Sequence, residues 1–312
     1  MLPANNRVTF SSQKDYANPG LAASIEALLT PALQSFPLSG SRVLLKPNLL
    51  TAKNGSLACT DARFLVEVAH WCIERGAQVS VGDSPSFGSA RGVLQAIGAL
   101  PGLQHLGAEV VEFKKTRTVQ LKNGTFVRLA QAALDCDLLL NLPKVKAHGQ
   151  TRVTLAVKNC FGCVSGFQKP LWHMRFGGDK GIFTDLLVEL PAHLPPALHL
   201  VDGIVAMHRT GPMHGLAYPL GCIVCGSNPV AVDTVLLYIL QIDPKTSPLW
   251  LASQSAGLKG SELTDLEFDK EALQNLRVQG FRVPPILSPI RFNPFRFIKN
   301  SGKRMALHLF KR

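Results

Sequence analysis

The chain has 312 residues, of which 46% are hydrophobic and 17% are charged. This composition supplies enough apolar side chains for a folded core and excludes a disordered chain. No run approaches the roughly 20 apolar residues that a membrane-spanning helix needs. Because the N-terminus lacks an apolar signal core, we expect a cytoplasmic protein rather than a secreted one.

The net charge is distributed unevenly along the chain. It amounts to +12, and no acidic residue follows Glu271. Nine basic residues lie beyond that point: Arg277, Arg282, Arg291, Arg296, Lys299, Lys303, Arg304, Lys311 and Arg312. The body of the chain is therefore only mildly basic, and most of the excess positive charge lies near the C-terminus.

The first part of the chain predicts a strand, a helix and a second strand in succession. Residues 42–46 form an apolar strand that ends at Pro47, because proline has no N–H to donate to a sheet. Residues 61–75 have apolar side chains at helical spacing, and Gly76 is suited to end that helix. Residues 77–82 form the next strand.

Further elements follow the same alternation. Strand candidates occur at residues 137–141, 198–201 and 221–225. The Asn-Gly pair within residues 121–126 predicts a hairpin. A helix begins at Asn228-Pro229 and continues through residue 240, because proline is favoured in the first helical turn.

Strands that alternate with helices predict an α/β fold. The strands are apolar on both faces, which is typical of a mostly parallel, doubly wound sheet with helices on both faces. We expect residues 1–283 to form a single α/β domain. Residues 284–312, which contain prolines and phenylalanines among the basic side chains, are predicted to be an appended basic tail.

Polar residues gather where these strands end, and ligands of open α/β sheets bind beyond the carboxyl ends of strands. Six segments carry the pattern: KPNLL at 46–50, GDSP at 82–85, PKVKAH at 143–148, TLAVKNCFGCVSG at 154–166, DGIVAMHRTGP at 202–212 and NPVAVD at 228–233. Turn residues of these types also end strands without any function. Six such segments, several with lysine or histidine, favour a site.

In this order, the six segments resemble the domain of unknown function 362 family over about residues 40–240. Many members of that family are fused to a ferredoxin-like domain with two iron–sulfur clusters. The resemblance implies redox chemistry, with electrons supplied by a separate ferredoxin-like donor. No C-x2-C-x2-C-x3-C run occurs in this chain, so a cluster-bearing domain of its own is not implied.

The segment after residue 143, which is predicted to be a basic loop just past a strand, is the most informative. Lys144, Lys146 and His148 occupy alternate positions, which directs extended side chains to one face. Residues 151–159 are predicted to form a helix, and a helix N-terminus beside ammonium groups favours a phosphate or a carboxylate. The alternative is that the lysines are solvated and His148 caps the helix. Lys46, between an apolar strand and a proline, supports the anion site.

We therefore predict an enzyme that acts on a small anionic substrate. The candidates for substrate binding are Lys46, Asn48, Ser84, Lys144, Thr154, Lys158, Asn159, Asp202 and Asp233. The candidates for catalysis are His148, Asp83 and Lys146. His148 and Asp83 are assigned proton transfer, because histidine titrates near neutral pH and Asp83 lies at a strand end.

The three aspartates admit two interpretations. Asp83, Asp202 and Asp233 are candidates for acid–base work or for a divalent metal, since carboxylates suit Mg²⁺ and Mn²⁺. Aspartate is equally common at turns and helix caps, so a structural role stays open for each. Asn48 and Asn159 either orient a substrate or complete a hydrogen-bond network.

Two Cys-x-x-Cys pairs, Cys160/Cys163 and Cys222/Cys225, formally supply four metal ligands. The second pair lies in a predicted strand, where residues three apart point to opposite faces. That geometry argues against an iron–sulfur cluster or zinc site built from all four. Cys163 alone is an alternative as a reactive thiol.

A segment near residue 175 is predicted to be a glycine-containing loop. His173, Arg175 and Lys180 are further candidates for an anion site, and Gly177-Gly178 would permit the motion of a lid. The alternative is a loop that covers the edge of the sheet without a function.

Basic and aromatic residues interleave in residues 284–312, a pattern suited to an anionic membrane surface and, as a weaker candidate, to nucleic acid. Alternatively, the tail packs its apolar residues on the domain. The second function that we consider is accordingly a non-catalytic small-molecule-binding or assembly protein. Its tail would hold it at the periphery of a membrane.

Overall fold

The computed structural model describes residues 5–52, 57–165, 168–176 and 181–288. Within them, nine strands form one sheet and two further strands form a separate hairpin. The strands are β1 (Val8–Ser12), β2 (Arg42–Pro47), β3 (Gln78–Asp83), β4 (Glu109–Glu112), β5 (Thr116–Gln120), β6 (Phe126–Ala130), β7 (Leu138–Leu142), β8 (Lys144–His148), β9 (Arg152–Thr154), β10 (Ala197–His208) and β11 (Leu216–Gly226). The α-helices are α1 (Gly20–Ala32), α2 (Ala62–Glu74), α3 (Ala90–Ala96), α4 (Leu100–His105), α5 (Gln131–Leu134), α6 (Ala156–Cys160), α7 (Gln168–Arg175), α8 (Ile182–Glu189), α9 (Pro229–Ile239), α10 (Pro248–Ser255) and α11 (Lys270–Asn275).

The main sheet has the strand order β1-β11-β10-β7-β2-β3-β4. Strands β10, β7, β2, β3 and β4 are parallel, whereas β11 is antiparallel to both of its neighbours. From β2 the chain builds outward through β3 to β4 and then returns to the other side of β2 as β7. This reversal opens a crevice at the carboxyl ends of β2 and β7, which is where ligands bind in such sheets.

Strand β8 extends the sheet beyond the end of β7. It lies parallel to the second half of β10, with Lys144 beside Asp202 and Lys146 beside Met207. Strand β9 then folds back against β8 in antiparallel register. The long strand β10 therefore supports both β7 and β8, and β8 projects over the crevice.

Alternate residues of the central strands face two different layers of helices. Val43 and Leu45 of β2 pack in the core beneath α1, α2, α3 and α4. Leu44, between them, faces the opposite core with side chains of α6, α8 and α10. Further along the sheet, the second face is covered by α9. The predicted mostly parallel α/β sheet with helices on both faces is confirmed.

Two local predictions are wrong. The segment from Lys144 to His148 is strand β8 rather than a loop, although its alternation still directs Lys144, Lys146 and His148 to one face. Thr151 and Thr154 do not begin a helix, because the chain first forms β9, and α6 starts only at Ala156. Two β-branched residues and the pairing with β8 outweigh the helical pattern there.

Other elements lie where they are predicted. Strands β5 and β6 form the hairpin around the Asn-Gly turn. Helix α9 begins at Pro229, and the Asn228 Oδ1 accepts hydrogen bonds from the backbone N–H groups of Val230 and Ala231. The Asn228 amide also donates to the Lys259 carbonyl at 2.8 Å, which links the start of α9 to the loop after α10.

We expect Asn228→Ala to lower the free energy of unfolding by about 1–2 kcal/mol, because the substitution removes the N-terminal cap of a buried helix. Urea unfolding measures this change. Asn275→Ala is the matched control, since Asn275 is an exposed residue at the end of α11 and its loss is expected to cost less than about 0.5 kcal/mol. Equal effects of the two variants would contradict the assigned cap.

Candidate functional site

A buried ion pair occupies the end of β2 and β3. The Lys46 Nζ lies 2.9 Å from the Asp83 Oδ1 and also donates to the Pro47 carbonyl. The other oxygen of Asp83 accepts the backbone N–H of Leu49 at 2.8 Å. A Cβ atom at Gly162 would lie 2.3 Å from both Lys46 and Asp83, so this glycine lets the backbone after α6 close over the pair.

A second ion pair joins β8 to β10. The Lys144 Nζ donates to the Asp202 Oδ2 at 2.8 Å and to the Tyr16 hydroxyl at 2.6 Å. The Tyr16 hydroxyl donates in turn to the other oxygen of Asp202, and the Asp61 N–H donates to Asp202 as well. Burial and the neighbouring Asp202 raise the pKa of Tyr16, which keeps its proton on the phenol. The charge of Lys144 is thus matched inside the protein.

Among the described residues, no carboxylate lies within ion-pair distance of Lys146, which instead begins a chain of amides. Its Nζ donates to the Asn48 Oδ1 and to the Ala58 carbonyl. The Asn48 amide donates to Asn159 at 2.6 Å, and the Asn159 amide donates to Asn141 at 2.7 Å. Asn141 then contacts the Nδ1 of His199 at 2.9 Å. Of the two roles left open for Asn48 and Asn159, the structure shows the hydrogen-bond network.

His148 lies at the end of β8 with only 6% of its surface exposed. Its Nδ1 accepts hydrogen bonds from the backbone N–H groups of Gln150 and Thr151, at 3.0 and 3.3 Å. Burial, with Lys158 and Lys146 nearby, lowers the pKa of His148 well below its usual value. The neutral ring therefore carries its proton on Nε2 and offers an N–H donor, not a base.

Lys158 on α6 has the most unusual surroundings. Its Nζ lies 4.5 Å from the centre of the Phe161 ring and 5.4 Å from that of Phe183. Among the described residues, its amine donates no hydrogen bond and no carboxylate lies within ion-pair distance. Burial, followed by the charges of Lys169 and Lys146, lowers the pKa of Lys158 to about 7.

Helix α7 adds Lys169 and His173 to the same region. The Lys169 Nζ donates to the carbonyls of Ser84 and Gly162, at 2.5 and 3.3 Å. The His173 Nδ1 lies 2.9 Å from the Gln150 Oε1, and burial lowers the pKa of this ring to about 3. The predicted loop at His173 is wrong, since α7 is a helix, while the side chain of Arg175 and residues 177–180 lie outside what the structure describes.

Lys146, Lys158 and Lys169 form a group that we call the unpaired lysines. In the described part of the chain, none of them has a carboxylate within ion-pair distance, in contrast to Lys46 and Lys144. Burial also lowers the pKa of Lys146 and of Lys169, each to about 8. Asp83 acts electrostatically on Lys146 and Lys169 from beyond ion-pair distance, whereas no carboxylate is among the groups that shift the pKa of Lys158.

Thr154 and Ser84 lie beside the unpaired lysines. Thr154 is paired with Lys146 across the β8–β9 hairpin, which places both side chains on one face. Its hydroxyl is buried and has no hydrogen-bond partner among the described residues. Ser84 contributes its backbone, because its carbonyl accepts from Lys169 and its N–H donates to Asp83.

The third predicted carboxylate, Asp233, has a different environment. It accepts the backbone N–H groups of Ala156 and Val157 at the start of α6, at 2.7 and 3.4 Å. Burial raises the pKa of Asp233 to about 8, and no lysine of the described chain is near enough to offset that shift. The contacts of Asp233 in the structure are thus with the start of α6.

The four cysteines of the two Cys-x-x-Cys pairs are buried. Cys222 packs in the core beneath α9, whereas Cys225 faces the opposite core, as residues three apart in a strand must. Burial raises the pKa of Cys163 to about 11 and that of Cys222 to about 12. Across the described ranges, no group of three or more His, Cys, Asp or Glu side chains is arranged to hold a metal ion.

Sequence patterns did not identify Tyr16, Asn141 and Lys169. Tyr16 precedes α1 in a segment without strand or helix periodicity. Asn141 is the polar end of an apolar strand, a signal that could have been used. Lys169 stands in a segment where lysine is unremarkable, and only the packing of α7 shows that it is partly buried.

Comparison with known proteins identifies the family of this chain. Residues 43–238 match the family described as a domain of unknown function, DUF362. A thylakoid-associated protein of Synechocystis sp. is 37% identical over 308 residues, which cover 97% of this chain and 96% of that relative. In the residues that the structure describes, no helix combines the length and the apolarity needed to cross a bilayer.

Two solved structures resemble part of the chain. The lactate racemase apoprotein from Thermoanaerobacterium thermosaccharolyticum matches with a TM-score of 0.44 and 12% identity, covering 65% of this chain and 53% of that chain. A protein from Thermotoga maritima matches with a TM-score of 0.36 and 9% identity, covering 65% and 55%. The chain therefore spans about half the length of either structure. The family match covers well over half of the sequence, and the chain belongs to the DUF362 family.

Proposed function

We propose that this protein is an enzyme that acts on a small anionic substrate, bearing a phosphate or a carboxylate, at the unpaired lysines. The observation that carries the proposal is the contrast between two sets of buried lysines. Lys46 and Lys144 are each matched by an aspartate, whereas the unpaired lysines have no such partner in the described chain. Buried charges are normally paired, so an anionic ligand is the expected counterion.

Neutral donors near these amines support the same proposal. The buried hydroxyl of Thr154 lacks an acceptor among the described residues, and His148 offers an Nε2–H. Oxygen atoms of a phosphate or carboxylate would accept from both. The amide chain from Asn48 to Asn141 orients Lys146, since each amide has its oxygen and nitrogen already engaged.

The same geometry changes the proposed roles of individual residues. His148 acts as a donor to the substrate, because its Nδ1 lone pair is occupied by two backbone N–H groups. Asp83 serves as the partner of Lys46. The pKa of Lys158 is about 7, so this amine gains and loses a proton at neutral pH.

The two sets of lysines predict opposite effects on stability. Lys144→Met leaves Asp202 buried without its cation, and we expect the free energy of unfolding to fall by about 3–5 kcal/mol. Lys158→Met removes an amine that is costly to bury, so we expect a change within about 1 kcal/mol, of either sign. Urea unfolding at pH 7 compares the two variants. A large loss for Lys158→Met would indicate a structural role and contradict the proposal.

Anion binding is expected to depend on pH in a defined direction. The pKa of Lys158 is about 7 in the folded protein, and those of Lys146 and Lys169 are about 8. An anion favours the ammonium forms, so affinity is highest below pH 7. It falls by up to about tenfold per pH unit for each lysine that titrates as the pH rises above that value. Calorimetric titration with sulfate, whose charge is constant from pH 6 to 9, measures this dependence.

The matched variants for that titration are Lys158→Met and Lys122→Met, since Lys122 is an exposed lysine in the turn between β5 and β6. Lys158→Met is expected to weaken sulfate binding and to flatten its pH dependence near pH 7, while Lys122→Met leaves both unchanged. Titrations in two buffers of different ionisation enthalpy should show proton uptake on binding at pH 8. Binding that strengthens as the pH rises would refute the assigned counterion role.

A second candidate function is a non-catalytic binding protein at a membrane surface, favoured by the thylakoid-associated relative. One further observation supports a link between the tail and the site. The Ser288 N–H donates to the Gly149 carbonyl at 2.8 Å, so the basic tail begins beside the residue that follows His148. Retained ligand binding without turnover of any bound metabolite would favour this candidate over the enzyme.

We expect the full chain to bind vesicles of phosphatidylcholine with phosphatidylglycerol through residues 289–312. Replacing Lys299, Lys303, Arg304, Lys311 and Arg312 by glutamine should lower the partition coefficient by more than about 100-fold, because each basic residue near an anionic surface contributes about 1 kcal/mol. Cosedimentation at low and high salt, with pure phosphatidylcholine as control, measures this. Binding of the variant at the same level, or salt-sensitive binding to duplex DNA in place of vesicles, would contradict the membrane role.

A further inference from the structure

The amine of Lys158 differs from the other buried amines in what it contacts. Lys146 and Lys169 each donate to two protein oxygens, which fixes them as oriented ammonium groups. Lys158 faces the rings of Phe161 and Phe183 and, within the described residues, engages no acceptor. Only 8% of its surface is exposed. A lysine amine is activated as a nucleophile when it is desolvated and lies beside other cations.

We propose that Lys158 is a catalytic nucleophile that forms an imine with an anionic substrate bearing an aldehyde or ketone group. Lys146 and Lys169 hold the anionic end of this substrate, and His148 donates its Nε2–H to the carbonyl oxygen. The inference rests on the anion site proposed above and names the substrate class of that site. It adds a reacting carbonyl, which anion binding alone does not require.

The step balances with groups that are present. The Lys158 nitrogen forms a bond to the carbonyl carbon, and the C=O electron pair moves to oxygen, where the His148 N–H stabilises it. A proton passes from nitrogen to oxygen and gives a neutral carbinolamine. The ammonium of Lys146 then protonates the hydroxyl group, which leaves as water while nitrogen forms the C=N bond. The imine proton returns to Lys146, so one amine and one carbonyl yield one imine and one water.

The surroundings of Lys158 determine when the amine is free to react. Strand β8 presents Lys146 and His148 to it, and α7 presents Lys169 and His173. No carboxylate is among the groups that shift its pKa: burial, followed by the charges of Lys169 and Lys146, lowers the value. The amine is therefore expected to react from about pH 7 upward, well below the range of an exposed lysine.

The test is reductive trapping of the full chain with glyoxylate and cyanoborohydride, followed by peptide mapping. Glyoxylate combines a carboxylate with an aldehyde. Two control compounds separate its features: acetaldehyde has the carbonyl without the anion, and glycolate has the anion without the carbonyl. We expect Lys158 to be modified by glyoxylate at least about tenfold faster than the exposed Lys122. Sulfate should slow this reaction, acetaldehyde should label Lys158 more slowly than glyoxylate does, and glycolate should not react.

Two variants complete the design. Lys158→Arg keeps a cation at this position, so it should retain sulfate binding but lose the fast labelling, while Lys122→Met should retain both. Sulfate binding with no preferential modification of Lys158 would overturn the imine and leave the anion site intact. Absence of both would overturn the inference together with the proposed function. Equal labelling of Lys158 by acetaldehyde and glyoxylate would overturn the assigned substrate class.

Discussion

Burying an ammonium group without a counterion costs free energy. The arrangement of charged side chains at the carboxyl ends of the strands depends on which lysines have an aspartate as partner. Lys46 and Lys144 are fully buried, and each has an aspartate within 3 Å. The Lys144 pair is also hydrogen-bonded by Tyr16 and by the backbone N–H of Asp61, the residue that caps α2. These pairs fix β2, β3, β8 and β10 relative to one another. Among the described residues, the buried lysines without a carboxylate at ion-pair distance are Lys146 on β8 and Lys158 on α6.

The sheet topology explains why distant parts of the chain meet there. The order reverses between β2 and β7, so the segments that follow both strands reach the same crevice. Strand β8 then continues along β10 past the end of β7, which carries Lys146 and His148 over that crevice. Asn48 and Asn159, 111 residues apart in sequence, hydrogen-bond at 2.6 Å as a direct result. The contact depends on pairing that no local pattern encodes.

Sequence patterns therefore predicted the strands and helices of the fold better than the side-chain contacts of the site. Apolar strand runs and the capped start of α9 depend on local chemistry, and both predictions are confirmed. The face shared by Lys144, Lys146 and His148 follows from alternation alone. The neighbouring strands determine which lysine contacts a carboxylate. In the structure Lys144 pairs with Asp202, whereas Lys146 donates to the amide oxygen of Asn48. The helix expected at Thr151 failed because pairing with β8 is a tertiary effect.

Helix α6 shows how structural and chemical roles divide within a few residues. At five residues it is too short to be stable alone, so its position must come from contacts at its ends. Asp233 holds the backbone N–H groups at its start, and Asn159 ties its last turn to Asn141. Lys158 stands between these two anchors. Asp233, which was predicted to bind substrate, thus fixes the helix that carries Lys158.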